Sequence, residues 1–206
     1  MLIAVIGGAH ASVSALEAAL AHIDELGIHT VLCTGNLAVG HGDANEVINI
    51  LRTRRVTCVQ GELDRLVVRA VRKANSLRKR FAEDEFDALQ RTHESLASGN
   101  IEFLRALPHR IMLTLEGKGV CLCHGSVTSQ NNVLSEDDPL DHFRRQREAA
   151  NCDVVLCGSD IKAFVSLVDQ ALFVNPGRLD ATDCTASFVV VNTDEEPLAG
   201  EIVRVR

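Results

Sequence analysis

Short apolar runs alternate with amphipathic stretches through the first sixty residues. Residues 2–6 (LIAVI) are apolar without interruption, as in a strand covered on both faces. Ser14 followed three residues on by Glu17 has the form of a capping box, and predicts a helix ending near Gly27. Residues 30–33 predict the next strand. Val47, Ile48, Ile50 and Leu51 then recur at helical spacing over 44–52, and 56–59 predicts a third strand running into Gly61. Strand, helix, strand, helix, strand is the order that right-handed crossovers turn into a parallel sheet.

The pattern changes after Gly61. Residues 64 to about 106 read as mostly helical, broken near Ser98-Gly99-Asn100 and closed by Pro108. Within them Leu66, Val67, Ala70, Val71, Leu77 and Phe81 recur at roughly helical spacing and are expected to face the domain or a second subunit. The second half is richer in strand: 111–115, a turn at Gly117-Lys118-Gly119, then 120–123, 154–156, 163–168, 171–174, 187–191 and 201–205, with one helix over 140–150. Several of these connections are hairpins, so the second sheet region is expected to be mixed. No internal repeat, low-complexity segment or Pro-rich linker interrupts the chain.

At 206 residues the chain fits one domain, 1–206, with a mainly helical insertion or cap at about 64–107. Its apolar residues are dispersed in runs far shorter than the roughly 18 needed to span a bilayer, and the first strand begins without a basic leader, so a cytoplasmic location is expected. Seven cysteines, an odd number, lie mostly inside apolar runs and read as buried reduced thiols. A net charge of −7 argues against general nucleic-acid binding. One local exception exists: Arg65, Arg69, Arg72, Lys73, Arg78, Lys79 and Arg80 crowd a single stretch, which is followed at once by AEDEFD and reads as a solvated, charge-compensated helix face.

Strand C-terminal ends are where an open α/β sheet presents chemistry. Five glycine-marked ends can be read: Gly7-Gly8-Ala9-His10, Gly35-Asn36-Leu37, Gly61-Glu62-Leu63-Asp64, His124-Gly125-Ser126 and Gly158-Ser159-Asp160-Ile161. Between them lie GHGDANEVINILR (40–52), FLRALP (103–108) and FVNPGRL (173–179). In that order they resemble the calcineurin-like metallophosphoesterases, in particular the small bacterial and archaeal phosphodiesterase branch. The family pattern is D-x-H, G-D, G-N-H-[DE], H and G-H-x-H, with an N-P-G-S turn after the last. The resemblance runs over nearly the whole chain and implies a two-sheet mixed β-sandwich flanked by helices, a four-layer α/β architecture with the turns converging at one edge.

Carried over residue by residue, the resemblance implies a degenerate metal site. The first aspartate falls on Gly8, while its histidine is kept as His10. The bridging aspartate falls on Asn36, as in the family's retromer-subunit branch, where the fold serves as a protein-binding scaffold; the string LCTGNL (32–37) resembles that branch too. In the third motif the metal-binding asparagine falls on Glu62, the histidine on Leu63, and the acidic residue is kept as Asp64. His124 is kept, and both final histidines are replaced, by Ser159 and Ile161. Two close divalent cations need an anionic bridge that a neutral amide does not supply. What remains is at most one mononuclear site on Asn36, Glu62 and His124, holding Mn, Fe or Zn weakly.

Two functions of different class follow from the resemblance. The favoured one is a phosphoesterase homologue without a dinuclear centre, acting as a binding or interaction module; the alternative is a metal-dependent phosphatase or phosphodiesterase with one remodelled metal. A vacated pocket could take an anion through Arg178, and a protein, a phosphate-containing small molecule or a second copy of the chain is the expected partner. His22, His29, His93, His109 and His142 read as structural. Cys123 and Cys157 flank the motifs and read as core thiols.

Overall fold

Alternation along β1 (Leu2–Ile6) assigns its two faces: Ile3 and Val5 belong to one buried cluster, Ala4 and Ile6 to another. The same division runs through the whole computed structural model, which describes residues 1–158, 162–180 and 186–205. β1 pairs in parallel with β2 (Thr30–Cys33), and β2 with β3 (Thr57–Cys58). The helices between them are α1 (Val13–Glu25) and α2 (Ala44–Thr53).

After β3 come α3 (Glu62–Arg69), α4 (Ala74–Leu77), α5 (Glu83–Ser95) and α6 (Ser98–Ala106). The chain then runs through β4 (Arg110–Leu115), β5 (Lys118–Cys123), α7 (Leu140–Ala150), β6 (Val154–Leu156), β7 (Phe164–Val168), β8 (Ala171–Asn175), β9 (Ser187–Asn192) and β10 (Ala199–Arg204). The strands form two mixed five-stranded sheets, ordered β10-β9-β1-β2-β3 and β4-β5-β6-β8-β7.

The sheets face each other across a core drawn from both, including Ile3, Val5 and Leu32 from one and Leu122, Leu156 and Val174 from the other. The outer face of the first sheet, with Ala4, Ile6 and Cys33, packs under α1, α2 and the helices between β3 and β4. In α1 the buried residues Leu16, Ala19, Leu20 and Ile23 make one stripe at helical spacing. On the second sheet α7 places Phe143 edge-on against Phe164 and Phe173, at ring separations of 6.3 and 5.0 Å. A fully buried phenylalanine of this kind contributes roughly 2–3 kcal/mol. Four layers result, as expected from the sequence.

Several boundaries differ from expectation. α1 begins one residue before Ser14, with Ser12 at its N-cap and no side-chain cap, so the Ser14–Glu17 capping box does not form. The helix break falls at Leu96–Ala97 rather than at 98–100, because Ala97 is extended and Asn100 is buried inside α6. The β4–β5 turn is Glu116-Gly117, both at positive φ, since Leu115 pairs with Lys118 across a two-residue hairpin. Leu66, Val67, Ala70 and Leu77 are buried and Phe81 half-buried, but Val71 is 58% exposed.

Candidate functional site

The turns after the parallel strands meet at one edge, held by backbone hydrogen bonds. Gly8 N donates to Gly35 O (3.1 Å), His10 N to Asn36 O (3.1 Å) and Ala11 N to Leu37 O (2.8 Å), joining the turns after β1 and β2. The turn after β3 approaches so closely that a Cβ on Gly61 would lie 2.2 Å from Asn36 N, which only glycine tolerates. The second sheet joins through His124, at the end of β5, whose Nδ1 lies 2.7 Å from Thr34 O. Gly158 N, after β6, donates to His124 O (3.3 Å), and Leu179 N, beyond β8, to Gly7 O (3.1 Å). His10 and His124 are thus anchored on carbonyls two residues apart, whose Cα atoms are separated by at most about 7 Å. Both sit at this one edge.

Each candidate residue has a defined environment. His10 and His124 are buried, and each points Nδ1 at a carbonyl, Val39 O (3.0 Å) and Thr34 O. A carbonyl only accepts, so each Nδ1 is the donor in these contacts. Asn36, in the left-handed region at φ 58°, accepts the Leu63 N–H on Oδ1 (3.1 Å), which ties the β2 turn to the first turn of α3. Leu63 itself is half-buried against the helical core. The Glu62 carboxylate lies 3.5 Å from Arg80 Nη2 and 4.0 Å from Arg65 Nη2. Gly8, at φ 57°, lies under Arg178: a Cβ there would meet Arg178 Cγ at 3.1 Å and Cα at 3.3 Å. Arg178 forms a two-pronged bond to Asp180, at 2.9 and 2.8 Å. Ser159 and Ile161, with Asp160 between them, lie outside the described residues.

Asp64 is fully buried and accepts four backbone N–H groups. Oδ2 takes Asn36 N (2.9 Å) and Gly61 N (3.0 Å); Oδ1 takes Leu37 N (2.8 Å) and Ala38 N (3.2 Å). The carboxylate replaces the missing hydrogen-bond partners of a tight turn and of the α3 N-terminus. Sequence reading placed Asp64 in the site but missed this clamping role, and missed Thr34, whose carbonyl orients His124. Only the Gly61 N–H, three residues before Asp64, is local; the other three Asp64 partners lie 26 to 28 residues away and Thr34 lies 90 from His124, so neither role shows in the local sequence.

The donors present do not fit a pair of divalent ions. Gly8 offers no side-chain oxygen, Asn36 is neutral and its Oδ1 already accepts the Leu63 N–H, and the Glu62 carboxylate faces two guanidinium groups. Among the described residues no group of three or more His, Cys, Asp or Glu is arranged to hold a metal. The neighbouring thiols add nothing: contact with Cys121 and burial push Cys123 well up, and burial pushes Cys157 up to about 12, so neither is a thiolate at neutral pH.

Two mixed five-stranded sheets back to back, with strand-end turns gathered at one edge, match the architecture of metallophosphoesterase structures. Residues 1–196 match the calcineurin-like phosphoesterase superfamily domain, and the chain belongs to that superfamily. A hypothetical protein from Pyrococcus horikoshii superposes with a TM-score of 0.88 at 20% identity, over 100% of this chain and 88% of the other. A metallophosphoesterase from Sphaerobacter thermophilus gives 0.71 at 20% identity, covering 100% and 89%. Vps29 from Entamoeba histolytica, crystallised with Zn²⁺, gives 0.56 at 19% identity and covers both chains fully. No curated protein matches the chain. No helix among the described residues is long and apolar enough to cross a membrane.

Proposed function

We propose that the chain is a metallophosphoesterase-fold binding module that has given up two-metal hydrolysis. The observation that carries this is Glu62. It is the one carboxylate among the candidate metal ligands, and it is ion-paired to Arg80 and Arg65. Phosphoester hydrolysis by two metals requires a bridge and anionic or imidazole ligands on both ions, to offset their repulsion and to activate water. Here position 8 has no side chain and position 36 has no charge. The gathered strand-end turns without the charge that holds cations support recognition of a phosphate-containing small molecule or a protein partner.

A second reading has one observation in its favour. The His124 ring gives Nδ1 to a backbone carbonyl and makes no further hydrogen bond among the described residues, the arrangement in which an imidazole ligates metal through Nε2. A single weakly held ion with residual hydrolysis would use it. Elemental analysis of the purified protein beside an aryl-phosphodiester assay with Mn²⁺ separates the two readings. Less than one ion per chain and background hydrolysis are expected. Two stoichiometric metals, with metal-dependent turnover abolished by His124→Ala, would sink the binding-module reading.

A further inference from the structure

The basic stretch after Asp64 divides into two groups. Arg78 lies over the Phe86 ring and Arg80 over the Phe81 ring, each at 5.0 Å, and Arg80 also meets Glu62. Arg65, Arg69 and Arg72 instead line a cavity of about 620 Å³, together with His93, Arg105 and His109. No Asp or Glu lines it, in a chain whose net charge is −7. The charge-compensated reading of this stretch therefore does not describe Arg65, Arg69 and Arg72, although Arg72 is exposed.

Of the four arginines lining it, Arg105 is ion-paired to Glu102, and the other three are short of partners. Arg69 and Arg72 make no ion pair or hydrogen bond among the described residues. The Arg65 side chain is only 18% exposed. It donates to Asn131 Oδ1 (3.1 Å), stands at the 4.0 Å limit from Glu62, and its buried Nε has no hydrogen-bond partner. Burial pushes the Arg65 pKa down, and the nearby Arg69 charge adds to the effect. A desolvated guanidinium with an unused N–H is costly unless an anion supplies the missing acceptor. His93 is fixed by Nδ1 on Val67 O (2.8 Å), which leaves Nε2 as its other polar atom.

We propose that this cleft binds a condensed phosphate, the di- or triphosphate portion of a small ligand. Guanidinium groups suit phosphate oxygens because they donate two N–H bonds in a fixed plane. Arg65 and Arg69 stand one turn apart on α3 and Arg72 follows in the turn after it, so three guanidinium groups face one cavity and can meet successive phosphates. The volume is that of an ordinary small-molecule site, roughly 300–1,000 Å³. Val68, Val71 and Leu107 in the same wall give the body of such a ligand an apolar surface, and the exposed Val71 lies among them. The site lies on the flank of α3 and does not depend on the metal chemistry of the turn cluster.

Calorimetric titration of the full chain with inorganic triphosphate at low salt tests the assignment. One-to-one binding is expected, weakening linearly on a logarithmic scale as salt rises. Arg69→Gln with Arg72→Gln should weaken it by about tenfold or more per lost guanidinium. An equal charge change on the far helix, Arg144→Gln with Arg145→Gln, should leave it within about twofold, the scale of long-range surface charge effects. Melting curves establish that both variants fold. Saturable triphosphate binding lost only in the cleft variant supports the site. Absence of binding, equal loss in both variants, or much tighter binding of a single-stranded RNA oligonucleotide than of triphosphate overturns it.

Discussion

A single side chain organises the edge where the turns meet. Asp64 accepts N–H groups from Asn36, Leu37, Ala38 and Gly61, fixing the turn after β2 and the start of α3 with one carboxylate. Every lone-pair site it offers faces a donor, which is how a fully buried charge is tolerated. Asp64→Asn is nearly isosteric but replaces one acceptor oxygen by an NH₂ that must face backbone N–H groups. We expect it to lower stability by about 3 kcal/mol, read as a fall in the urea midpoint without change in m-value. Glu62→Gln, two residues away, removes only partly exposed ion pairs and should change the midpoint little. A larger loss from Glu62→Gln than from Asp64→Asn would mean that the carboxylate organising this edge had been misassigned.

Helices and strands were legible where burial was one-sided or complete. The apolar runs that became β1, β6 and β8 could hardly be anything else, and the α1 stripe was visible in its spacing. Boundaries were less legible where distant contacts set them. Asn45, inside the motif NEV of α2, donates to Ser95 O (2.9 Å) and accepts Ala97 N (2.8 Å), pinning the α5–α6 break fifty residues away. Asn100 completes the clamp, donating to Asn45 Oδ1 (3.0 Å) and accepting from Arg52 Nη1 (3.1 Å). Nothing local at 98–100 reveals that partner, so the glycine there read as the break. Asn100→Leu should cost about 2 kcal/mol and raise amide exchange selectively in α5 and α6, with β1 and β2 unchanged. Uniformly faster exchange would show that the helices do not move as a unit separable from the sheet.

At the scale of the whole molecule, the positions that would hold metal are coupled across the two halves of the chain. The superfamily pattern pairs an aspartate at position 8 with a serine in the N-P-G-S turn. This chain has glycine and arginine in those two places, and the structure brings them into contact. Gly8→Asp therefore meets two obstacles at once: φ 57° disfavours a side chain, and the new Cβ meets Arg178 Cγ and Cα at 3.1 and 3.3 Å. Asn36→Asp has a simpler path, because a carboxylate can still accept the Leu63 N–H. Restoring all four lost ligands together, Gly8→Asp, Asn36→Asp, Ser159→His and Ile161→His, should accordingly give less than one tightly bound Mn²⁺ per chain. Adding Arg178→Ser should tighten Mn²⁺ binding by about tenfold, equivalent to roughly 1.4 kcal/mol, as read by titration calorimetry and elemental analysis. Arg178→Ser alone should add no metal, since Gly8 and Asn36 still supply no charge. If the fourfold variant took up two ions with Arg178 in place, the arginine would be a bystander, and loss of the ligands alone would account for the missing metal pair.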